Sequence, residues 1–187
     1  EIIQAVMAEA VPVTGGNPIP AIRLPKSDTQ PGYWTLWSLQ AVNTFETHES
    51  ACPLYFTDEG DVFTAYAQDF WVSLSSKELK AEVTAATQTD HAHVFRELQQ
   101  QAEEVLGDKY AEMERVISEN TTRLRINKEK AFEFQERQIE KIGIENIRHY
   151  RLQRLANERQ DWTTNFDSAS QVIPRLTCLM ILRVEHE

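Results

Sequence analysis

The stretch LGDKYAEMERVISENTTRLRINKEKAFEF, residues 106–134, decides the fold. Leu106, Tyr110, Met113, Ile117, Asn120, Leu124, Asn127, Ala131 and Phe134 recur at alternating steps of four and three, and seven of these nine positions are apolar. A repeat of about 3.5 residues keeps one seam of a helix against a partner helix. The stretch therefore predicts a long helix with a coiled-coil seam.

A second seam with the same steps follows in Leu152, Leu155, Arg159, Trp162, Phe166, Ala169 and Ile173. Between the seams, Lys141-Ile142-Gly143-Ile144-Glu145-Asn146 interrupts the pattern, and Gly143 is the natural place for a chain reversal. Two seams joined by a short break predict an antiparallel helical hairpin over about residues 90–172. Its first helix is expected from about 90 to 141, with a break allowed at Gly107-Asp108, and its second from about 145 to 172. At about 1.5 Å per residue the second helix spans roughly 40 Å.

Proline placement supports this division. Pro12, Pro18, Pro20, Pro25, Pro31 and Pro53 crowd the first third, and the 120 residues before Pro174 contain none. A proline inside a helix costs about 3 kcal/mol, so a clean run of this length suits a helical region. Residues 1–10 read as a short helix and 12–31 as an irregular connector. From Tyr33 to Phe45 the residues favour a strand, with Tyr33, Trp37, Leu39 and Ala41 on one face. Leu54-Tyr55-Phe56 reads as a short strand, Asp58-Glu59-Gly60-Asp61 as a turn and Val62-Phe63 as the start of the return. Tyr66, Phe70, Trp71 and Leu74 have helical spacing. After Pro174, the run Leu176 to Val184 is apolar on both faces, as in an inner strand, and is expected to pair with the strand around 33–45.

The expected fold class is α+β: a small antiparallel sheet with a long antiparallel coiled-coil hairpin inserted before the last strand. The expected organisation is an N-terminal helix and connector over 1–32 and a single α+β domain over 33–187.

The net charge of −10 opposes general affinity for nucleic acid, which rests on Lys and Arg neutralising phosphates. The charge is unevenly spread. Residues 123–159 hold ten Lys/Arg against six Asp/Glu, a local +4, leaving −14 for the remainder. No stretch approaches the roughly 20 apolar residues of a membrane span, and the opening Glu1-Ile2-Ile3-Gln4 has no basic-then-apolar signal pattern. These features predict a cytoplasmic protein without a membrane partner, and the start at Glu1 predicts a fragment or processed product. Cys52 and Cys178 are expected to be buried free thiols.

Catalytic motifs are missing. Gly15-Gly16 precedes Asn17-Pro18 and lacks the lysine of a phosphate-binding loop. Asp58-Glu59-Gly60-Asp61 is superficially like a helicase acidic box, but its place between short antiparallel strands favours a plain turn. His91 and His93 are two residues apart, about 200° around a helix, unlike the i,i+4 spacing of a helical metal site. Neither a catalytic residue, a metal ligand nor a cofactor of this chain's own is expected.

The functional lead is a basic cluster. Arg137, Lys141, Arg148, Arg151 and Arg154 gather near the expected hairpin tip, where a projecting arm contacts nucleic acid or a protein partner. The competing reading pairs them with Glu133, Glu136 and Glu140 across the hairpin, since charged flanks are normal in coiled coils.

Three groups of residues carry a family resemblance. They are Leu54-Tyr55-Phe56-Thr57-Asp58-Glu59-Gly60-Asp61-Val62, then Tyr150-Arg151-Leu152-Gln153-Arg154-Leu155, and Val172-Ile173-Pro174-Arg175-Leu176 with Leu179-Met180-Ile181-Leu182-Arg183-Val184. Over most of residues 33–185 this order resembles the C-terminal accessory region of bacterial RapA/HepA-like Swi/Snf-family helicases. The resemblance implies a parent enzyme that hydrolyses ATP, with ATP and magnesium held by helicase lobes upstream of Glu1. It implies those lobes, duplex DNA, RNA polymerase or another protein as partners. No catalytic residue carries over to any position. The alternative is a free-standing coiled-coil interaction or scaffold protein, with Asn120 and Asn127 setting its register.

Overall fold

Alternation along Gly32–Val42 builds the centre of the sheet: Trp34 and Leu36 point to one face, Thr35, Trp37, Leu39 and Ala41 to the other, and all six are buried. A computed structural model describes residues 19–24, 30–76, 82–84 and 91–186. The strands are β1 (Ala21–Leu24), β2 (Gly32–Val42), β3 (Thr47–Thr57), β4 (Glu82–Thr84) and β5 (Ile173–His186). The helices are α1 (Thr64–Ser76), α2 (His91–Val105), α3 (Gly107–Glu140) and α4 (Glu145–Ala169). The expected helix over residues 1–10 lies outside the described residues. The chain divides into two compact units, one drawn from Glu1–Gln40, Glu49–Asp108 and Arg175–Glu187, the other from Ala41–His48 and Lys109–Pro174.

The first unit carries the body of a five-stranded sheet with strand order β3-β2-β5-β1-β4. β5 neighbours β2, as its apolar run predicts. The sheet is mixed, however, and this corrects the expectation of a purely antiparallel one. β1 runs parallel to β5, with Ile22 opposite Val184, and antiparallel to β4, with Ile22 opposite Val83. Four residues between Pro20 and Pro25 are too few to show a period of two, so the connector concealed a strand. The strand expected at 54–56 extends over Thr47–Thr57, and Pro53 is tolerated there because β3 is an edge strand. The expected return at Val62-Phe63 is only an isolated Phe56–Val62 bridge before α1 begins.

Trp34 organises the face beneath α1. Its indole N–H donates to the Ala67 carbonyl at 2.9 Å, and its ring stacks on Trp71 at 5.7 Å and meets Phe70 at 5.6 Å. Ile22, Leu24, Leu36, Tyr55, Leu74, Leu182 and Val184 complete this core. On the opposite face Trp37 meets Phe95 of α2 at 6.3 Å, and its indole donates to Thr35 Oγ1 at 2.7 Å. The Thr35 hydroxyl in turn donates to the Leu54 carbonyl at 3.3 Å, so these buried polar atoms have partners. Cys52 and Cys178 are free and buried as expected, and burial pushes the Cys178 thiol up to about 12.

Between β3 and α1 the acidic segment forms a turn: the Gly60 N–H donates to the Thr57 carbonyl at 3.0 Å, and Gly60 has φ 94°. Arg183 of β5 grips Asp58 with both terminal nitrogens, the Nη2–Oδ2 contact being 2.7 Å, and lies 4.8 Å from the Tyr33 ring centre. The Asp58 carboxylate is thus held by an arginine of β5.

The second unit is built on α3, α4 and the turn between β2 and β3. Asn43 Oδ1 accepts the backbone N–H groups of Phe45 and Glu46 at 2.9 Å, while its amide donates to Thr121 Oγ1 at 3.2 Å. Asn120 donates to Glu46 Oε2 at 3.2 Å, and the Thr44 N–H donates to the Ala169 carbonyl at 3.1 Å. Rings continue the contact from Phe45 to Phe166 at 5.2 Å, Phe166 to Trp162 at 4.7 Å, and Trp162 to Phe132 at 5.8 Å.

The first seam needs correction beyond Asn120. Leu124, Asn127, Ala131 and Phe134 are exposed, while Thr121 and Phe132 are buried. A straight helix with about 3.6 residues per turn drifts roughly 20° per heptad from a repeat of 3.5, and over four heptads the buried stripe moves to a different set of residues. The second seam fits better, with Leu152, Leu155, Arg159 and Trp162 half-buried and Phe166 buried. The break in the long helical run falls at Leu106, one residue before Gly107.

Candidate functional site

The link 141–144 separates α3 from α4, and the five candidate cations lie on either side of it. Arg137 is in the last turn of α3, Lys141 opens the link, and Arg148, Arg151 and Arg154 succeed one another every three residues on α4. Arg148 is half-buried and the other four are exposed. Arg137 Nε donates to the Glu133 carbonyl at 3.3 Å, a bond within its own helix.

Among the described residues none of the five forms an ion pair, and neither do Glu133, Glu136 and Glu140. Three other arginines on the same two helices do, and Arg123, among the described residues, does not. Arg115 bridges Glu112, at 2.7 Å, and Glu119; Arg125 reaches Asp167 at 3.1 Å; Arg159 pairs with Glu129. Glu112 and Glu119 lie one turn to either side of Arg115, so that pairing is local to α3. Beside the link, guanidinium groups thus remain without carboxylate partners among the described residues.

Arg151 and Arg154 come together along a groove of about 400 Å³, which Phe134, Gln135, Gln138 and Glu158 also line. Arg148 borders a different groove with Glu145, Asn146 and Tyr150. A larger groove of about 820 Å³ lies beside Phe132, with Leu152, Ala156, Arg159 and His149 on its walls. Among the described residues no group of three or more His, Cys, Asp or Glu is placed to hold a metal ion. His91 Nδ1 accepts the Ile19 N–H at 3.4 Å, and His93 lies 3.6 Å from Glu97.

Sequence reasoning missed two aromatic residues in this region. Phe134 is 58% exposed and Tyr150 is 65% exposed, beside arginines that have no ion-pair partner among the described residues. The signal for Phe134 was present: Phe132 and Phe134 are two residues apart and cannot both face the same partner helix.

Among the described residues no helix is long and apolar enough to cross a membrane. Comparison with protein-family models, with curated proteins and with solved structures finds no match.

Proposed function

We propose that the chain is a non-catalytic interaction domain that contacts nucleic acid through the basic end of α3 and α4. In line with the helicase resemblance, it would serve as the accessory part of an ATP-dependent Swi/Snf-type translocase whose ATPase lobes belong to the same parent. The observation that carries the reading is the contrast between paired and unpaired arginines. Arg115, Arg125 and Arg159 are neutralised by carboxylates, whereas Arg137, Lys141, Arg148, Arg151 and Arg154 have no ion-pair partner among the described residues. Such cations are available to phosphates, and each phosphate they neutralise releases counterions.

The antiparallel hairpin belongs to this reading. It is supported by cross-helix contacts in which residue numbers rise on α3 and fall on α4, from Arg125–Asp167 to Phe132–Trp162. That arrangement sets the link and its flanking cations at one end of the helical pair.

Titration of a labelled oligonucleotide with the full chain tests the proposal. Binding should weaken as salt rises, with log K falling linearly in log salt. Absence of binding at low salt contradicts it. Steady ATP turnover by the purified chain would contradict its non-catalytic part.

The free-standing scaffold reading is favoured by one observation, the exposure of Ile144, Ile147 and Tyr150 around the link. It predicts self-association, which light scattering over a concentration series detects.

A further inference from the structure

The groove between Phe134 and the two neighbouring arginines has a chemistry that a contact with phosphates alone does not need. Arg151 and Arg154 line it from α4, and neither has an ion-pair partner among the described residues. Across from them α3 supplies Phe134, 58% exposed, with the amides of Gln135 and Gln138. Glu158 is the one carboxylate among the described lining residues. The groove therefore combines two available guanidinium groups, an aromatic face and hydrogen-bonding amides in about 400 Å³.

A duplex turns its phosphates outward and keeps its base faces stacked, so an exposed ring gains nothing from it. A single strand offers both a phosphate backbone and free base faces, and proteins that hold single strands combine a basic groove with stacking aromatics. Stacking on an aromatic ring tolerates any base, while amide side chains can meet base edges. From this juxtaposition we infer that the Phe134–Arg151–Arg154 groove binds single-stranded nucleic acid, a base stacking on Phe134 and the neighbouring phosphates meeting Arg151 and Arg154. The inference rests on the proposed nucleic-acid contact and narrows its ligand to single strands. The charge of the ligand fits its place: residues 123–159 carry +4 in a chain of net −10, so a polyanion is attracted to this region and repelled elsewhere.

The test measures anisotropy of a labelled oligo-dT strand and of a duplex of equal length, both at the same salt, with the full chain and two variants. The single strand should bind more tightly than the duplex. Phe134→Ala, which removes an exposed side chain and should leave the circular dichroism unchanged, should weaken single-strand binding about tenfold and leave duplex binding unaltered. Arg151→Glu with Arg154→Glu should weaken both. Equal affinity for strand and duplex, or a Phe134→Ala variant that holds the single strand as well as the parent, overturns the inference and leaves a phosphate contact standing. Failure of both probes to bind at low salt overturns the inference and the proposed function together, as would tight binding of an acidic protein in their place.

Discussion

The Phe132 ring stands edge-on to Trp162, with centroids 5.8 Å apart and planes at 65°. Phe132 is 1% exposed, whereas Phe134, two residues along the same helix, is 58% exposed. Phe132→Ala should therefore cost about 3–5 kcal/mol in urea or thermal unfolding of the second unit. Phe134→Ala should stay within about 0.5 kcal/mol, as for a surface site. A larger cost at Phe134 than at Phe132 would mean that the two helices meet along the seam expected from the heptad pattern.

This pair also shows how far the sequence could be read. Proline-free length and apolar periodicity located both long helices and the link between them, because those signals accumulate over many turns. The seam slipped because a repeat of 3.5 and a helix of about 3.6 agree for a few turns and then diverge. Met113 and Ile117 fall before the divergence and Phe134 after it. The strand Ala21–Leu24 was illegible for the opposite reason, being too short for a period and defined by distant partners, Arg183 to His186. Those partners follow a crossover through most of the chain. At the candidate site, sequence alone grouped five cations by proximity. They do not all converge: Arg148 borders a different groove from the one that Arg151 and Arg154 share with Phe134.

Gly32 opens β2 where a Cβ atom would lie 2.1 Å from the Phe56 carbonyl oxygen, inside the edge pairing of β2 and β3. Backbone cannot yield there as a flexible side chain could. Gly32→Ala should cost about 1–3 kcal/mol, the range for overpacking, and lower the melting temperature of the first unit. An unchanged melting temperature would show that the strands separate at this point without penalty.

The Tyr55 hydroxyl donates to the Gln30 carbonyl at 2.6 Å from a side chain with no exposure, and burial raises its pKa well above the ordinary value of 10.0. Tyr33 is shifted in the same direction, chiefly by burial. For groups whose folded pKa is raised, stability is fully present below the unfolded pKa and is lost as pH rises beyond it. Unfolding free energy should therefore hold steady up to a pH of about 10 and decline above it. Tyr55→Phe should flatten that decline. Absorbance titration of tyrosinate should show Tyr33, Tyr55 and Tyr110, all shifted upward chiefly by burial, ionising later in the folded chain than in denaturant. Simultaneous ionisation of all five tyrosines in the folded chain would contradict the burial of Tyr55.

The central claim is that the arginines beside the link, which have no ion-pair partner among the described residues, meet phosphates. Charge reversal at Arg148, Arg151 and Arg154 together (Arg148→Glu, Arg151→Glu, Arg154→Glu) tests it most directly, read as oligonucleotide affinity over a salt series. The account predicts weaker binding and a shallower salt slope, by about 0.7–0.9 for each phosphate no longer neutralised, with helix content unchanged. Affinity and salt slope equal to those of the parent chain would contradict it.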